Sequence, residues 1–273
     1  MNKKQKQFVQ TVFEYYKKEG RHTLPWRKTK NPYRILVSEI MLQQTQVDRV
    51  IPKYKAFLSQ FPTIQTLADA PLSAVLIQWQ GLGYNRRAKM LHNCAKQVIS
   101  QHRGKMPKTY DELVALSGIG PYTAGAVMAF AYNTPRPIIE TNIRTVFIYH
   151  FFNNNTDVTD TEILQSIGVT MDMKNPREWY WALMDYGSFL KKEHKGLNSK
   201  SKHYVKQSKF AGSHRQIRGA IVRTLAECGG QLTRIQLHKK LATFEDVRVD
   251  MQLQNLQDEE MIQCIQGKYL LAI

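Results

Sequence analysis

The sequence predicts a mainly helical chain that closes with a small domain of three helices and a β-hairpin. Three observations carry this. Apolar residues recur at three- and four-residue spacing through most of residues 5–190, as in Phe8, Val12, Tyr15 and Tyr16, or Ile35, Leu36, Ile40 and Met41. That is the period of a helix with one buried face. The interruptions are short and built of turn residues, among them Thr29-Lys-Asn-Pro32, Gly81-Leu-Gly83, Ser117-Gly-Ile-Gly-Pro121 and Asn153-Asn-Asn155, so the helices pack through short loops. After a lysine-rich segment the pattern changes.

In this last part, Gln216 to Glu227 is amphipathic, with Ile217, Ala220, Ile221 and Leu225 inward and Gly229-Gly230 at its stop. Thr233 is placed to cap a second helix through Leu241, and Val249 to Glu259 forms a third. The tail from Met261 to Ile273 alternates around Gly267-Lys268 and reads as a β-hairpin. Three helices and a hairpin in such a short span resemble a winged helix. The expected division is therefore residues 1–211 and a winged-helix-like domain over 212–273.

Composition bounds the function class. Of 273 residues, 42% are hydrophobic and 22% charged, which suits a globular protein with a real core. No segment approaches the roughly 20 unbroken apolar residues of a membrane span, so no membrane partner is expected. The start, Met-Asn-Lys-Lys-Gln-Lys-Gln, is basic with no apolar stretch behind it, so no signal peptide is expected. Cys94, Cys228 and Cys264 are far apart and odd in number. They make no disulfide framework and no zinc or iron–sulfur spacing, and they fit a reducing cytoplasm. The histidines show no metal spacing, so no metal and no organic cofactor is expected. The chain is expected to work as a monomer in the cytoplasm.

The net charge is +17, from 39 Lys and Arg against 22 Asp and Glu. Such a field attracts polyanions, nucleic acid foremost. Residues 212–273 hold 8 basic and 7 acidic side chains, leaving 31 against 15 in residues 1–211. The polyanion surface is therefore expected in the first part. From Lys191 to Lys209 there are seven lysines (191, 192, 195, 200, 202, 206 and 209) and one acid, Glu193. With Gly196, Asn198, Ser199 and Ser201 among them, this reads as a loosely ordered basic loop. It reads as a solvated linker, as a phosphate-contacting loop through Lys191, Lys192, Lys195 and Lys200, or as both, since a linker beside a DNA site can also touch the backbone.

Residues 113–127, Leu-Val-Ala-Leu-Ser-Gly-Ile-Gly-Pro-Tyr-Thr-Ala-Gly-Ala-Val, are the most informative stretch. A helix is expected to end at Leu116 or Ser117. Gly118 and Gly120 bracket Ile119, which packs as a peg. Pro121 opens the next helix at its first position, where the missing N–H costs nothing. Glycines let a backbone approach a ligand closely, and a helix start offers free N–H groups to a phosphate. The whole pattern resembles the helix-hairpin-helix of the DNA base-excision glycosylases.

Two carboxylates lie in apolar surroundings. Glu39 sits in Ile35-Leu-Val-Ser-Glu-Ile-Met-Leu-Gln-Gln-Thr-Gln46, and Glu140 in Pro137-Ile-Ile-Glu-Thr-Asn-Ile-Arg144. Poor solvation would raise the pKa of Glu39 and keep it protonated near neutral pH. Asn142 and Arg144 are placed to orient or neutralise Glu140. An acid to protonate a leaving base and an anion to stabilise a cationic sugar are what cleavage of an N-glycosidic bond needs.

Residues 24–145 resemble MutY-type adenine DNA glycosylases. The matching pieces are Leu24-Pro-Trp-Arg27, Pro32-Tyr33, Ser38-Glu-Ile-Met-Leu-Gln-Gln-Thr-Gln46, Gly81-Leu-Gly-Tyr84, Arg87-Ala88, Leu116-Ser-Gly-Ile-Gly120 and Thr123-Ala-Gly125, with a weaker continuation through Met184-Asp-Tyr-Gly187. The resemblance implies a two-lobed helix-hairpin-helix glycosylase fold. One lobe would take residues 30–135; the other would take 1–29 and 136–195, with the site in the cleft between. It implies that Glu39 protonates adenine at N7 and helps activate water, and that Glu140 stabilises the oxocarbenium ion. Gln43 and Gln44 would meet the opposing base and fill the gap left by the flipped nucleotide, and Tyr84 would insert beside the mispaired purine. The partner would be double-stranded DNA with a mismatched or damaged base. Tyr122 stands where bifunctional relatives carry a Schiff-base lysine, and no lysine occurs between Lys108 and Lys174. That implies a monofunctional enzyme.

Three departures stand out. Glu140 replaces the usual Asp. The four cysteines that hold an iron–sulfur cluster in such enzymes are missing from residues 188–211, where the lysine-rich segment stands instead. Residues 212–273 are too short for the Nudix-like domain that recognises 8-oxoguanine. Two other readings therefore stand beside removal of adenine opposite guanine or 8-oxoguanine. One is removal of thymine, uracil or another modified base; the other is a non-catalytic DNA- or lesion-binding protein.

Overall fold

A computed structural model describes residues 1–205, 209–229 and 231–272. Among them the α-helices in chain order are α1 (Lys3–Glu19), α2 (Pro32–Leu42), α3 (Val47–Gln60), α4 (Ile64–Asp69), α5 (Leu72–Trp79), α6 (Arg86–His102) and α7 (Tyr110–Val114). Then come α8 (Pro121–Phe130), α9 (Thr141–Phe151), α10 (Asp160–Thr170), α11 (Pro176–Glu193), α12 (His214–Glu227), α13 (Arg234–Lys240) and α14 (Asp246–Asp258). Three short strands, β1 (Leu232–Thr233), β2 (Ile262–Ile265) and β3 (Lys268–Leu271), and two single 3-10 turns, Pro25–Arg27 and Leu197–Lys200, complete the described elements. The expectation of a mainly helical protein holds.

Contacts divide the chain into two units. The first takes residues 1–39, 107–115 and 119–206; the second takes 40–106, 116–118 and 207–273. These are not the boundaries expected for the lobes. Residues 30–39, 107–115 and 119–135 group with the first unit because α8 packs on α7 and α11 there. Residues 212–273 group with 40–106, against which α12 packs through α5.

The first unit is organised on α11. Helix α1 begins with a capping box, in which Asn2 and Gln5 satisfy each other's backbone N–H. It buries Phe8, Val12 and Tyr16, one turn apart. Phe8 meets Phe147, Phe151 and Trp179 edge-on, at centroid distances of 5.3, 4.9 and 5.9 Å, an arrangement that the ring quadrupoles favour. Helix α9 crosses α11 at Gly187. A Cβ there would lie 2.1 Å from the Asn142 carbonyl oxygen, so only glycine permits the approach.

Next to this crossing is an ion-pair cluster. Asp185, fully buried, accepts from Arg27 Nη1 at 2.6 Å and Nη2 at 2.9 Å. It also accepts from the Arg21 backbone N–H at 2.8 Å and Arg21 Nε at 2.6 Å. Burial works against the carboxylate, but the Arg27 hydrogen bonds and charge outweigh it and hold the Asp185 pKa below its ordinary value.

In the second unit, α4 starts on a capping box of Thr63 and Thr66 and packs with α5 on α6. The inner face of α6 buries Leu91, Cys94, Ala95 and Val98. Cys94 is thus a core residue, as are Trp79 here and Trp26 in the first unit. After residue 212 the described elements run α12, β1, α13, α14, β2 and β3. Ser213 caps α12, and Thr233 caps α13 in a capping box with Gln236. The strands lie in the order β1-β3-β2, all antiparallel. Strand β1 was not legible in the sequence: two residues carry no period. The hairpin turns at Gln266-Gly267, both with positive φ, one residue earlier than the alternation suggested; two such residues suit a tight primed turn. Gly230 lies outside the described residues.

The helical hairpin is present with small shifts. Helix α7 ends at Val114, two or three residues short of the expected stop, because Ala115 already closes its last turn by donating to the Asp111 carbonyl. Gly118 has a φ of +74°, and a Cβ there would lie 2.6 Å from Met90 Cβ. Ile119 is buried, and Gly120 is the N-cap of α8 with Pro121 at the first position.

Asp185 generates a stability prediction. Asp185→Asn leaves the 4%-exposed Arg27 side chain without its carboxylate. Breaking such a pair costs roughly 3–5 kcal/mol. Because the folded pKa is depressed, the stabilisation is complete above the ordinary value of 3.8 and is lost as pH falls through the lower folded value. Urea unfolding followed by circular dichroism should show a wide gap between wild type and variant at pH 7 that narrows toward pH 3. A gap independent of pH would refute this.

Candidate active site

Glu39 lies in α2 with 6% exposure, surrounded by the buried Ile35, Leu36 and Ser38. The Tyr122 hydroxyl donates to its Oε2 at 2.9 Å. Tyr122 reaches it because Gly120 and Pro121 start α8 one residue earlier. Burial is the main reason why the Glu39 pKa is pushed up to about 7; the charge of Glu140 raises it further, while the Tyr122 hydrogen bond and Arg27 pull it down. At neutral pH this carboxyl therefore exists in both forms and can deliver or take a proton. The half-buried Tyr122 is held well above its ordinary pKa, first by loss of solvation and then by the charges of Glu39 and Glu140. It stays protonated and keeps donating.

Glu140 is the N-cap of α9. Its Oε1 accepts from the backbone N–H groups of Asn142 at 2.9 Å and Ile143 at 3.0 Å, and Asn142 Nδ2 lies 3.4 Å from Oε2. A longer carboxylate is thus seated on a helix start, where free N–H groups and the dipole favour an anion. Although Glu140 keeps some solvent contact, burial raises its pKa. The two N–H groups, Arg144 and Lys191 oppose that rise. Asn142 therefore meets Glu140 through both its backbone N–H and its side-chain amide. Arg144 acts only at a distance, because its guanidinium is paired with Asp160 at 2.9 and 2.8 Å.

Glu39, Tyr122, Glu140 and Asn142 all belong to the first unit, whereas the lobe boundaries read from the sequence divided them. The basic run is also in this unit through Val205, and it is more ordered than the sequence suggested. Lys191 and Lys192 form the last turn of α11 and are exposed, as is Lys195. Leu197 is buried, Asn198 accepts from Thr145 Oγ1 at 3.0 Å, and Val158 bridges to Ser201. Lys200 is held by the Asn153 carbonyl and by Oδ1 at 3.0 Å. Lys206 lies outside the described residues.

Gln43, Gln44 and Tyr84 belong to the second unit. Gln44 and Tyr84 have φ values of +53° and +49°, which non-glycine residues adopt at a cost. Arg87 holds both loops. Its Nη1 donates to the carbonyls of Ile40 (2.5 Å), Met41 (3.1 Å) and Gln43 (2.8 Å), closing the end of α2. Its Nη2 donates to Leu82 at 3.1 Å and Gly83 at 3.0 Å. Burial lowers the Arg87 pKa to about 10, so it remains charged. Arg87, Arg27 and Asp185 were missed as working residues. All three stood in the quoted motifs, but Arg27 and Asp185 are 158 positions apart and nothing local marks the pair.

Cys94 is buried and Cys228 and Cys264 are exposed, all as free thiols. These three cannot supply the four thiolates of an iron–sulfur cluster. Among the described residues no group of three His, Cys, Asp or Glu could hold a metal ion, and no helix is long and apolar enough to cross a membrane.

Comparison with known proteins agrees with the motifs. The profile of the HhH-GPD superfamily base excision DNA repair proteins matches residues 37–168. The chain is 40% identical over 184 residues to an adenine DNA glycosylase of Buchnera aphidicola subsp. Baizongia pistaciae, covering 67% of this chain and 52% of that protein. It is 46% identical over 128 residues to an adenine DNA glycosylase of Mycolicibacterium smegmatis, covering 46% of this chain and 44% of that protein. The chain thus spans about half the length of these relatives. Among solved structures, a thermostable thymine-DNA glycosylase matches with a TM-score of 0.64 and 26% identity, over 74% of this chain and 97% of that one. Residues 37–168, with the hairpin at 113–127 inside them, match the HhH-GPD superfamily of base excision DNA repair proteins.

Proposed function

We propose that this chain is a monofunctional DNA glycosylase that hydrolyses the N-glycosidic bond of adenine opposite guanine or 8-oxoguanine. The observation that carries the reading is a buried carboxyl with a pKa of about 7, held by Tyr122, beside a second carboxylate seated on a helix start. Glu39 in its acid form gives its proton to N7 of adenine as the C1′–N9 bond breaks. The Glu140 carboxylate stabilises the positive charge on the sugar. Water adds at C1′ and returns a proton to Glu39, so the acid is restored. Asn142 keeps Glu140 in place. With Tyr122 where a lysine would form a Schiff base, the product is an abasic site and the strand stays intact.

The phosphate grip belongs to Gly118, Ile119, Gly120 and Tyr122 of the hairpin and to Lys191, Lys192, Lys195 and Lys200. Gln43, Gln44 and Tyr84 would meet the opposing strand. Double-stranded DNA with a mismatched or damaged base is the substrate, and a monomer acting at the nucleoid suffices. The glycosylase region would be residues 1–211, with 212–273 as an added winged-helix-like domain. The thymine-DNA glycosylase similarity supports a second reading, in which the same chemistry removes thymine or uracil.

A single-turnover base-release panel decides between them: adenine opposite 8-oxoguanine or guanine, thymine and uracil opposite guanine, and hypoxanthine opposite thymine. Adenine release with strand breakage only after alkali is expected. Glu39→Gln should slow it by roughly 100- to 10,000-fold, and Glu140→Gln by roughly 100- to 1,000-fold. Release of thymine or uracil alone moves the substrate, and binding without release of any base overturns the enzymatic reading.

The pH profile tests the mechanism. Because the acid form of Glu39 is the donor, the rate should fall as pH rises through about 7. The Tyr122 hydrogen bond lowers this pKa, so Tyr122→Phe should move the inflection upward. An unmoved or lowered inflection would remove Glu39 from the role of acid.

A further inference from the structure

Residues 212–273 carry almost no net charge, yet α12 holds three of their eight Lys and Arg residues, Arg215, Arg218 and Arg223. Ile217, Ala220, Ile221, Val222 and Leu225 are its buried residues. Arg215, Arg218 and Gly219 instead border a cavity of about 400 Å³ in the second unit, together with Gln43, Gln44 and Tyr84. A neighbouring cavity of about 660 Å³ shares Gln44, Tyr84 and Arg215 and adds Arg49 and Arg223. Both fall in the range of small-ligand sites, roughly 300–1,000 Å³.

The contents of the first cavity are specific. The Arg215 guanidinium donates to the Tyr84 hydroxyl, and its carbon lies 5.2 Å from the Tyr84 ring centroid, with that of Arg87 at 5.6 Å. Tyr84, already in a left-handed backbone conformation, is thus held by one arginine of its own segment and one of α12. Arg218 is paired with Glu259 at 2.7 Å, which seats the base of the wall. Gly219 leaves open space: a Cβ there would meet nothing within 4 Å. An aromatic face, two carboxamides and an arginine fork together fit a nucleobase. The ring stacks, the amides read donors and acceptors, and the fork takes paired acceptors. Arg223 and Arg49 beside it suit the adjoining phosphates.

We propose that α12 forms one wall of a pocket for a single unstacked nucleotide of the DNA strand opposite the target, and that Arg215 determines which base is accepted there by positioning Tyr84 and meeting the base edge. This rests on the reading of the chain as a DNA glycosylase. It gives residues 212–273 a part in specificity that their net charge conceals.

The test uses the full chain and needs no catalysis. Dissociation constants are measured by fluorescence anisotropy for duplexes with a tetrahydrofuran abasic-site analogue opposite A, C, G, T or 8-oxoguanine, at one fixed salt concentration. Wild type should separate the tightest from the weakest by roughly tenfold, the size of one good base contact. Arg215→Ala should compress that spread to within about threefold while the weakest duplex binds as before. Arg215→Lys keeps the charge but loses the planar fork, so it should not restore the spread; a purely structural or electrostatic role would be rescued by lysine. Gly219→Leu, which fills the cavity from a helix surface with room for it, should compress the spread in the same way. An unchanged spread in Arg215→Ala and Gly219→Leu, or a wild type that does not discriminate, overturns the pocket. A wild type that discriminates but releases no base leaves the pocket standing and sinks the glycosylase reading instead.

Discussion

The structure of the site depends on a carboxyl group kept out of water. Glu39 is 6% exposed in a helix whose neighbouring residues, Ser38 apart, are apolar. Burying an ionised carboxylate without partners is very costly, so the group either binds a proton or finds donors. Tyr122 supplies one donor, at a strength that leaves the proton easily exchanged near neutrality. The placement of Tyr122 depends in turn on Gly120 and Pro121 opening α8. The hairpin pattern that reads as a phosphate grip is therefore also the device that holds the acid.

Glu140 solves the same problem differently. It is fed by two backbone N–H groups of α9, so its neighbours stabilise the anion. Two carboxyls in one unit are thereby biased toward opposite tasks by one side chain and one helix end. Gly187 matters to this pairing because it lets α11 approach the Asn142 carbonyl, beside the residue that orients Glu140.

Buried guanidinium groups join distant segments in both units. Arg27 binds Asp185, and Arg87 gathers carbonyls from residues 40–43 and 82–83. An isolated apolar contact would tolerate sliding; a planar fork with five donors fixes angle and register together. This explains how Gln44 and Tyr84 are kept in left-handed conformations: the carbonyls around them are already committed to Arg87.

The amino-acid sequence by itself determined much of this protein. Helical period, turn residues and caps marked the helices, the Gly-Ile-Gly-Pro signature marked the hairpin, and the apolar context of Glu39 foretold its raised pKa. Those are local properties, legible within a dozen residues. Tertiary structure decided what local pattern cannot carry. It joined Arg27 to Asp185 across 158 positions, paired the two-residue β1 with β3, and sent Arg144 to Asp160 rather than to Glu140. It also seated Leu197 and Asn198 of the lysine-rich run and brought Arg215 to Tyr84 across 131 positions. The physical reason is common to all five: each partner was chosen by close packing and by the need to satisfy a buried charge or polar group, and both depend on which surfaces meet in the folded chain.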